Sequence, residues 1–119
     1  MNVLRVATIN VWNKSGPWLQ RLPLIRKELT RLSPEIVGLQ EVLRFRADGA
    51  EQAALTVNND QATEIADGLG FHLAYSVASD YGNGLKFGNA VFSRHPIVDE
   101  QSFQLPGVES GESRSLLYA

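Results

Sequence analysis

The sequence predicts an α/β (α+β) fold built on one mixed β-sheet, and three observations carry that expectation. An apolar stretch at residues 3 to 11, an amphipathic helical period and a second apolar stretch at 35 to 41 follow one another with short connections. Further on, alternation over residues 71 to 77 and an apolar run at 87 to 93 flank a cluster of turn residues. Finally, the chain has 119 residues, 44% hydrophobic and 20% charged, which suits a single domain with one modest core.

The elements can be justified in order. Val3, Ala7, Ile9 and Val11 fall on one face of the first strand and Leu4 and Val6 on the other, a pattern expected of a strand covered on both sides. Leu22, Ile25, Leu29 and Leu32 recur at spacings of three and four, with Arg26, Lys27 and Arg31 between them, so a helix is predicted over about residues 21 to 32. Pro23 is expected in its first turn and Ser33-Pro34 at its end. A strand-helix-strand order with so short a return makes the strands at 3 to 11 and 35 to 41 parallel neighbours. Asn10 and Glu41, at their carboxyl ends, then emerge at one edge of the sheet.

Leu43 to Asn58 show no clear period and read as a long loop on that same side. Asn59 or Asp60 caps a second helix with apolar face Ala62, Ile65, Ala66 and Leu69 and Gly70 as its stop. Phe71, Leu73, Tyr75 and Val77 alternate with polar or small residues as a half-buried strand. Asp80-Tyr81-Gly82-Asn83-Gly84 joins it as a hairpin to the strand at 87 to 93, which His95-Pro96 breaks. Residues 97 to 105 and 114 to 119 read as two more strands around a Pro106 to Gly111 loop.

Composition narrows the chemistry. No stretch is long and apolar enough to span a bilayer and the amino terminus lacks a signal-peptide pattern, so a soluble, cytoplasmic protein is the default expectation. The absence of cysteine removes disulfides, thiolate metal sites and thiol nucleophiles, leaving oxygen or imidazole for any metal. A net charge of -2 argues against a strongly basic nucleic-acid surface.

Each candidate residue admits two readings. Glu41 suits a hard cation, since magnesium is held by one or two carboxylates plus substrate phosphate, and equally suits a solvated strand end. Asn10 could touch a ligand or cap a turn through its side chain. Arg114 could fork onto phosphate or pair with Glu112 at the surface. Trp12 and Trp18 read as core or rim packing, although Trp12, close to Asn10, could flank a substrate. Gly88 marks a close backbone approach or a bulge, and Arg94, His95 and His72 read as surface residues.

Four segments shift these readings when taken together: Ala7-Thr8-Ile9-Asn10-Val11-Trp12, Pro34 to Val42 with its Gln40-Glu41-Val42, Gly88-Asn89-Ala90-Val91-Phe92-Ser93-Arg94-His95-Pro96-Ile97, and Glu112 to Ala119. In order and spacing the chain resembles the endonuclease/exonuclease/phosphatase superfamily with the DNase I-like fold. The resemblance implies one mixed β-sheet with helices on one face, half of a four-layer α/β/β/α DNase I-like sandwich, with Glu41 a ligand of catalytic Mg2+ or Mn2+, Asn10 in the same site and Arg114 facing substrate phosphate. It implies hydrolysis of a phosphodiester or phosphomonoester by in-line water attack, the ester being nucleic acid, phospholipid or sugar phosphate.

The family pattern also includes a His after the last strand seen here, a Gly-Asp-x-Asn segment and a terminal Ser-Asp-His, none of which occurs here. Residues 1-119 therefore read as the amino-terminal half of the domain, incomplete and inactive by itself, with the carboxy-terminal half as its missing partner. Leaving several hundred Å² of inner sheet face uncovered would cost on the order of 10 kcal/mol. Instability, or self-association through that face, is the expected consequence. The rival readings are a non-catalytic binding or scaffold module and, within hydrolases, a lipid or sugar-phosphate phosphatase instead of a nuclease.

Overall fold

The structure, a computed structural model, describes residues 2–45, 60–82, 84–107 and 111–119. Its elements run β1 (Val6–Asn10), α1 (Trp18–Leu32), β2 (Ile36–Phe45), α2 (Gln61–Ala66), β3 (His72–Asp80), β4 (Leu85–Ser93), β5 (Gln101–Gln104) and β6 (Ser115–Tyr118). The first four strands form one mixed sheet in the order β1-β2-β4-β3, with β1 parallel to β2 and the other pairs antiparallel. The parallel pairing follows from the short α1 crossover and puts Asn10 beside Gln40.

Both described helices lie on one face of this sheet. Trp18 and Leu29 of α1 and Ala62 and Ile65 of α2 pack with Val11, Val37, Leu39, Val42, Ala90 and Phe92 in a single core. α1 begins at Trp18, earlier than the apolar period indicated, and Pro23 lies inside it instead of in its first turn. Pro23 deprives the Leu19 carbonyl of its helical partner, and since both residues are exposed, water can satisfy that oxygen. Ser33 closes the helix in a left-handed conformation (φ 48°), its N–H donating to the Leu29 carbonyl at 2.9 Å.

β2 continues to Phe45, so residues 43 to 45 of the predicted loop are strand, and the rest of that loop, residues 46 to 58, lies outside the described residues. Asp60 caps α2 by accepting from the Thr63 N–H at 3.3 Å, but α2 ends at Ala66, and the chain reaches Gly70 through turns. The β3–β4 hairpin closes with the Tyr81 N–H on the Leu85 carbonyl at 2.9 Å. At Gly88 a Cβ would sit 1.8 Å from the Ser76 carbonyl oxygen, next to a register shift between Val77 and Ser79, so only glycine fits there.

β5 and β6 form a separate antiparallel pair packed over β3 and β4, a second layer on the face opposite the helices. Residues 97 to 100 are not strand. The layers meet through polar contacts: the Ser76 hydroxyl bonds those of Ser102 and Ser115, the Asn89 amide donates to the Ser115 carbonyl at 3.0 Å, and Gln104 donates to the Val77 carbonyl at 2.7 Å. This second layer leaves β1 open on its side, and Val6 is 63% exposed. The expectation of a strand over residues 3 to 11 covered on both faces is therefore corrected: the strand is only Val6–Asn10, Ala7, Ile9 and the following Val11 pack with the helices, and Val3, Leu4 and Val6 remain accessible. Phe103, Leu116 and Tyr118 are exposed on the outer side of the β5–β6 pair.

Candidate metal and phosphate site

At the carboxyl ends of β1 and β2 the backbone departs from regular geometry. Leu39 pairs with Ala90 and Val42 with Gly88, so Gln40 and Glu41 together oppose the single residue Asn89. This is a β-bulge, the device by which strands re-aim a side chain next to a site. Glu41 takes the left-handed conformation there (φ 55°), which is uncommon for a residue with a Cβ. Its carboxylate is half-buried and forms no hydrogen bond or ion pair among the described residues.

The loop leaving β1 is built around the bulge. The Val11 N–H donates to the Gln40 carbonyl at 2.9 Å and the Asn13 N–H to the Glu41 carbonyl at 2.8 Å. Asn10 folds its side chain over the start of the loop, Oδ1 accepting from the Trp12 N–H at 2.8 Å. Trp12 (φ 56°) and Asn13 (φ 41°) are also left-handed, so three of the four such non-glycine residues described gather at this rim. Arg21 holds them by donating to the carbonyls of Val11, Asn13 and Ser15 at 2.7, 3.1 and 2.7 Å. Gln61, fully buried, adds a donor to the Asn13 carbonyl at 2.7 Å and accepts from the Leu43 N–H at 2.8 Å.

Asn10 and Glu41 thus come to one rim, as their strand ends implied, and the Asn10 side chain caps the turn there. Its carbonyl caps the turn with one lone pair and keeps a second, together with an amide that can donate. Arg114 stands apart: its guanidinium is 2.7 Å from the Glu112 carboxylate, and both side chains are exposed. The following residue, Ser115, bonds Asn89 across from the bulge, so the backbone of this segment approaches the rim although the Arg114 side chain is engaged elsewhere.

Among the described residues no three His, Asp or Glu converge on one point. Two hard oxygen donors, Glu41 and Asn10, nevertheless fit magnesium, which keeps several waters and takes one or two carboxylates plus phosphate.

Several supporting residues escape sequence reasoning. Arg21 and Gln61 resemble any surface Arg and Gln in sequence, and Asn89 shows itself only as a polar residue within an apolar strand. Arg94 is exposed, as its surface reading expected, and also clasps the opposite end of the sheet, donating to the carbonyls of Pro34 at 3.0 Å and Leu69 at 3.1 Å with its guanidinium over Phe71.

No curated protein matches the chain. Among solved structures it is similar to an endonuclease/exonuclease/phosphatase family protein from Leptotrichia buccalis C-1013-b, with TM-score 0.69 and 16% identity over 97% of this chain and 48% of that one. It is also similar to an endonuclease/exonuclease/phosphatase from Beutenbergia cavernae DSM 12333, with TM-score 0.62 and 25% identity over 96% of this chain and 32% of that one. The chain therefore spans less than half the length of either. No described helix is long and apolar enough to cross a membrane. Residues 7–115 match the Endonuclease/Exonuclease/phosphatase family, and with the bulged strand end, the parallel β1–β2 pair and the second sheet layer this chain belongs to that family.

Proposed function

We propose that this chain carries the Asn10 and Glu41 side of a phosphoesterase site that hydrolyses a phosphodiester or phosphomonoester by in-line attack of water. The observation that carries the reading is the Glu41 carboxylate, half-buried and free of protein partners among the described residues, in a left-handed bulge beside Asn10. Bound Mg2+ or Mn2+ would supply Lewis-acid stabilisation of charge on the phosphate oxygens. Glu41 and the free lone pair of Asn10 would hold the ion, and the Asn10 amide would orient a phosphate oxygen. Arg114 would turn from Glu112 to the phosphate, a small loss because an exposed pair of this kind is worth about 0–1 kcal/mol.

The general base and the residues that position the water would come from the carboxy-terminal half of the domain, the intramolecular partner of this one. The accessible residues Val3 and Leu4, which precede β1, and Val6 at its start would contact that half or, in its absence, a second copy of the chain.

Calorimetric titration of the chain with Mg2+ and Mn2+ tests the site. Measurable binding by the native chain, reduced at least tenfold by Glu41→Gln, is expected, and binding indifferent to that substitution would overturn the assignment. In a protein carrying both halves, loss of Mg2+-dependent cleavage of bis(p-nitrophenyl) phosphate on Glu41→Gln is expected. A protein with both halves but no metal-dependent hydrolysis would favour the binding-module reading.

A further inference from the structure

Trp12 is not needed by the site just described, yet the structure invests heavily in its placement. It is the second residue after Asn10, its N–H is held by the Asn10 side chain, and it is 56% exposed. One part of the indole rests against Gly16, where a Cβ would lie 3.2 Å from a ring carbon. The Arg21 guanidinium sits 5.7 Å from the Trp12 ring centroid and 5.2 Å from that of buried Trp18, so it is held against both indoles. The loop carrying Trp12 is fixed by the three carbonyl contacts of Arg21 and that of Gln61. An exposed indole immobilised in this way has already lost the side-chain entropy that ligand binding would otherwise cost.

The charge around the ring selects among ligands. A quaternary ammonium, the usual cationic guest of an aromatic face, would meet the Arg21 guanidinium close to the same ring. A neutral planar ring gains stacking without that repulsion, and the cation favours an attached phosphate.

We propose that Trp12 is a specificity-determining platform on which a planar aromatic ring joined to phosphate, as in a nucleotide, stacks while the phosphate lies toward Asn10. The inference rests on the reading of Asn10 and Glu41 as a phosphate and metal site.

Calorimetry of the native chain in Mg2+ with adenosine monophosphate, ribose 5-phosphate and phosphocholine tests it. Adenosine monophosphate is expected to bind about tenfold more tightly than either other ester. Trp12→Ala should remove that advantage and leave ribose 5-phosphate unchanged, whereas Trp12→Phe should keep most of it. Equal affinity for the three esters, a preference for phosphocholine, an adenosine preference indifferent to Trp12→Ala, or binding of none of them at millimolar concentration would each overturn the platform. The parent reading fails separately: if affinities are the same without Mg2+ and in Glu41→Gln, the metal site is wrong, while an adenosine preference that Trp12→Ala abolishes still upholds the stacking role.

Discussion

The amide of Asn13 donates to the carbonyl of Glu41 at 2.8 Å, joining two residues that both hold left-handed backbone conformations. A loop and a strand are locked together at the point where each is locally disfavoured, so the energy holding Glu41 in place comes from its neighbours. Glu41→Gly should therefore stabilise the chain by about 0.5–1 kcal/mol, the relief of the Cβ clash outweighing the extra freedom of the unfolded glycine. Urea unfolding should show a higher midpoint for this variant together with lost Mg2+ binding. A lower midpoint would mean that the Glu41 side chain itself supports the fold.

Arg44 and Asp60 close the ends of β2 and α2 on each other. Their side chains are 2.8 Å apart, that of Asp60 is 1% exposed, and the Arg44 guanidinium lies 4.1 Å from the Tyr75 ring centroid. Removing one partner leaves the other charged in a dry place, so Asp60→Ala should cost about 3–5 kcal/mol, including the lost α2 cap. The paired replacement Arg44→Met with Asp60→Leu should cost less than Asp60→Ala alone. Chemical denaturation of both variants provides the comparison.

Gly88 admits no side chain. A methyl group there would fall 1.8 Å from the Ser76 carbonyl oxygen, a backbone atom held in the β3–β4 ladder. Gly88→Ala should destabilise by about 3 kcal/mol or more and loosen that hairpin. Amide hydrogen exchange should show weakened protection centred on Val77 and Gly88, whereas an unchanged exchange pattern would contradict the packing described.

Tyr75 predicts the alkaline limb of the stability profile. Burial raises its hydroxyl above the ordinary tyrosine range, and the hydroxyl donates to the Val42 carbonyl at 2.9 Å. Because the folded chain keeps this proton after the unfolded chain has lost it, the contribution is intact below about pH 10 and falls away as pH rises further. The slope from this one group reaches about 1.4 kcal/mol per pH unit. Tyr75→Phe should lower stability at neutral pH by about 1 kcal/mol and flatten the decline between about pH 10 and 11. Parallel slopes for the two proteins would remove Tyr75 from the alkaline transition.

The sequence by itself determined the order of elements, because the hydrophobic period records which side of each helix or strand is buried whatever it packs against. From that order came the parallel β1–β2 pair and the meeting of Asn10 and Glu41 at one rim, and from residue types at their places in the pattern a close approach or bulge at Gly88 and a cap at Asn59 or Asp60. Only the tertiary structure decided the rest. The bulge that turns Glu41, the bracing of its loop by Arg21 and Gln61, and the pairing of Arg114 with Glu112 depend on the particular positions that packing gives to backbone groups and side chains. The same holds for β5 and β6, whose strand pattern is visible in sequence but whose place as a second layer rests on Ser76, Asn89 and Ser115 meeting across 26 to 39 residues. Such long-range contacts leave no local period, since a residue that serves a distant backbone group has the same sequence signature as one that serves water.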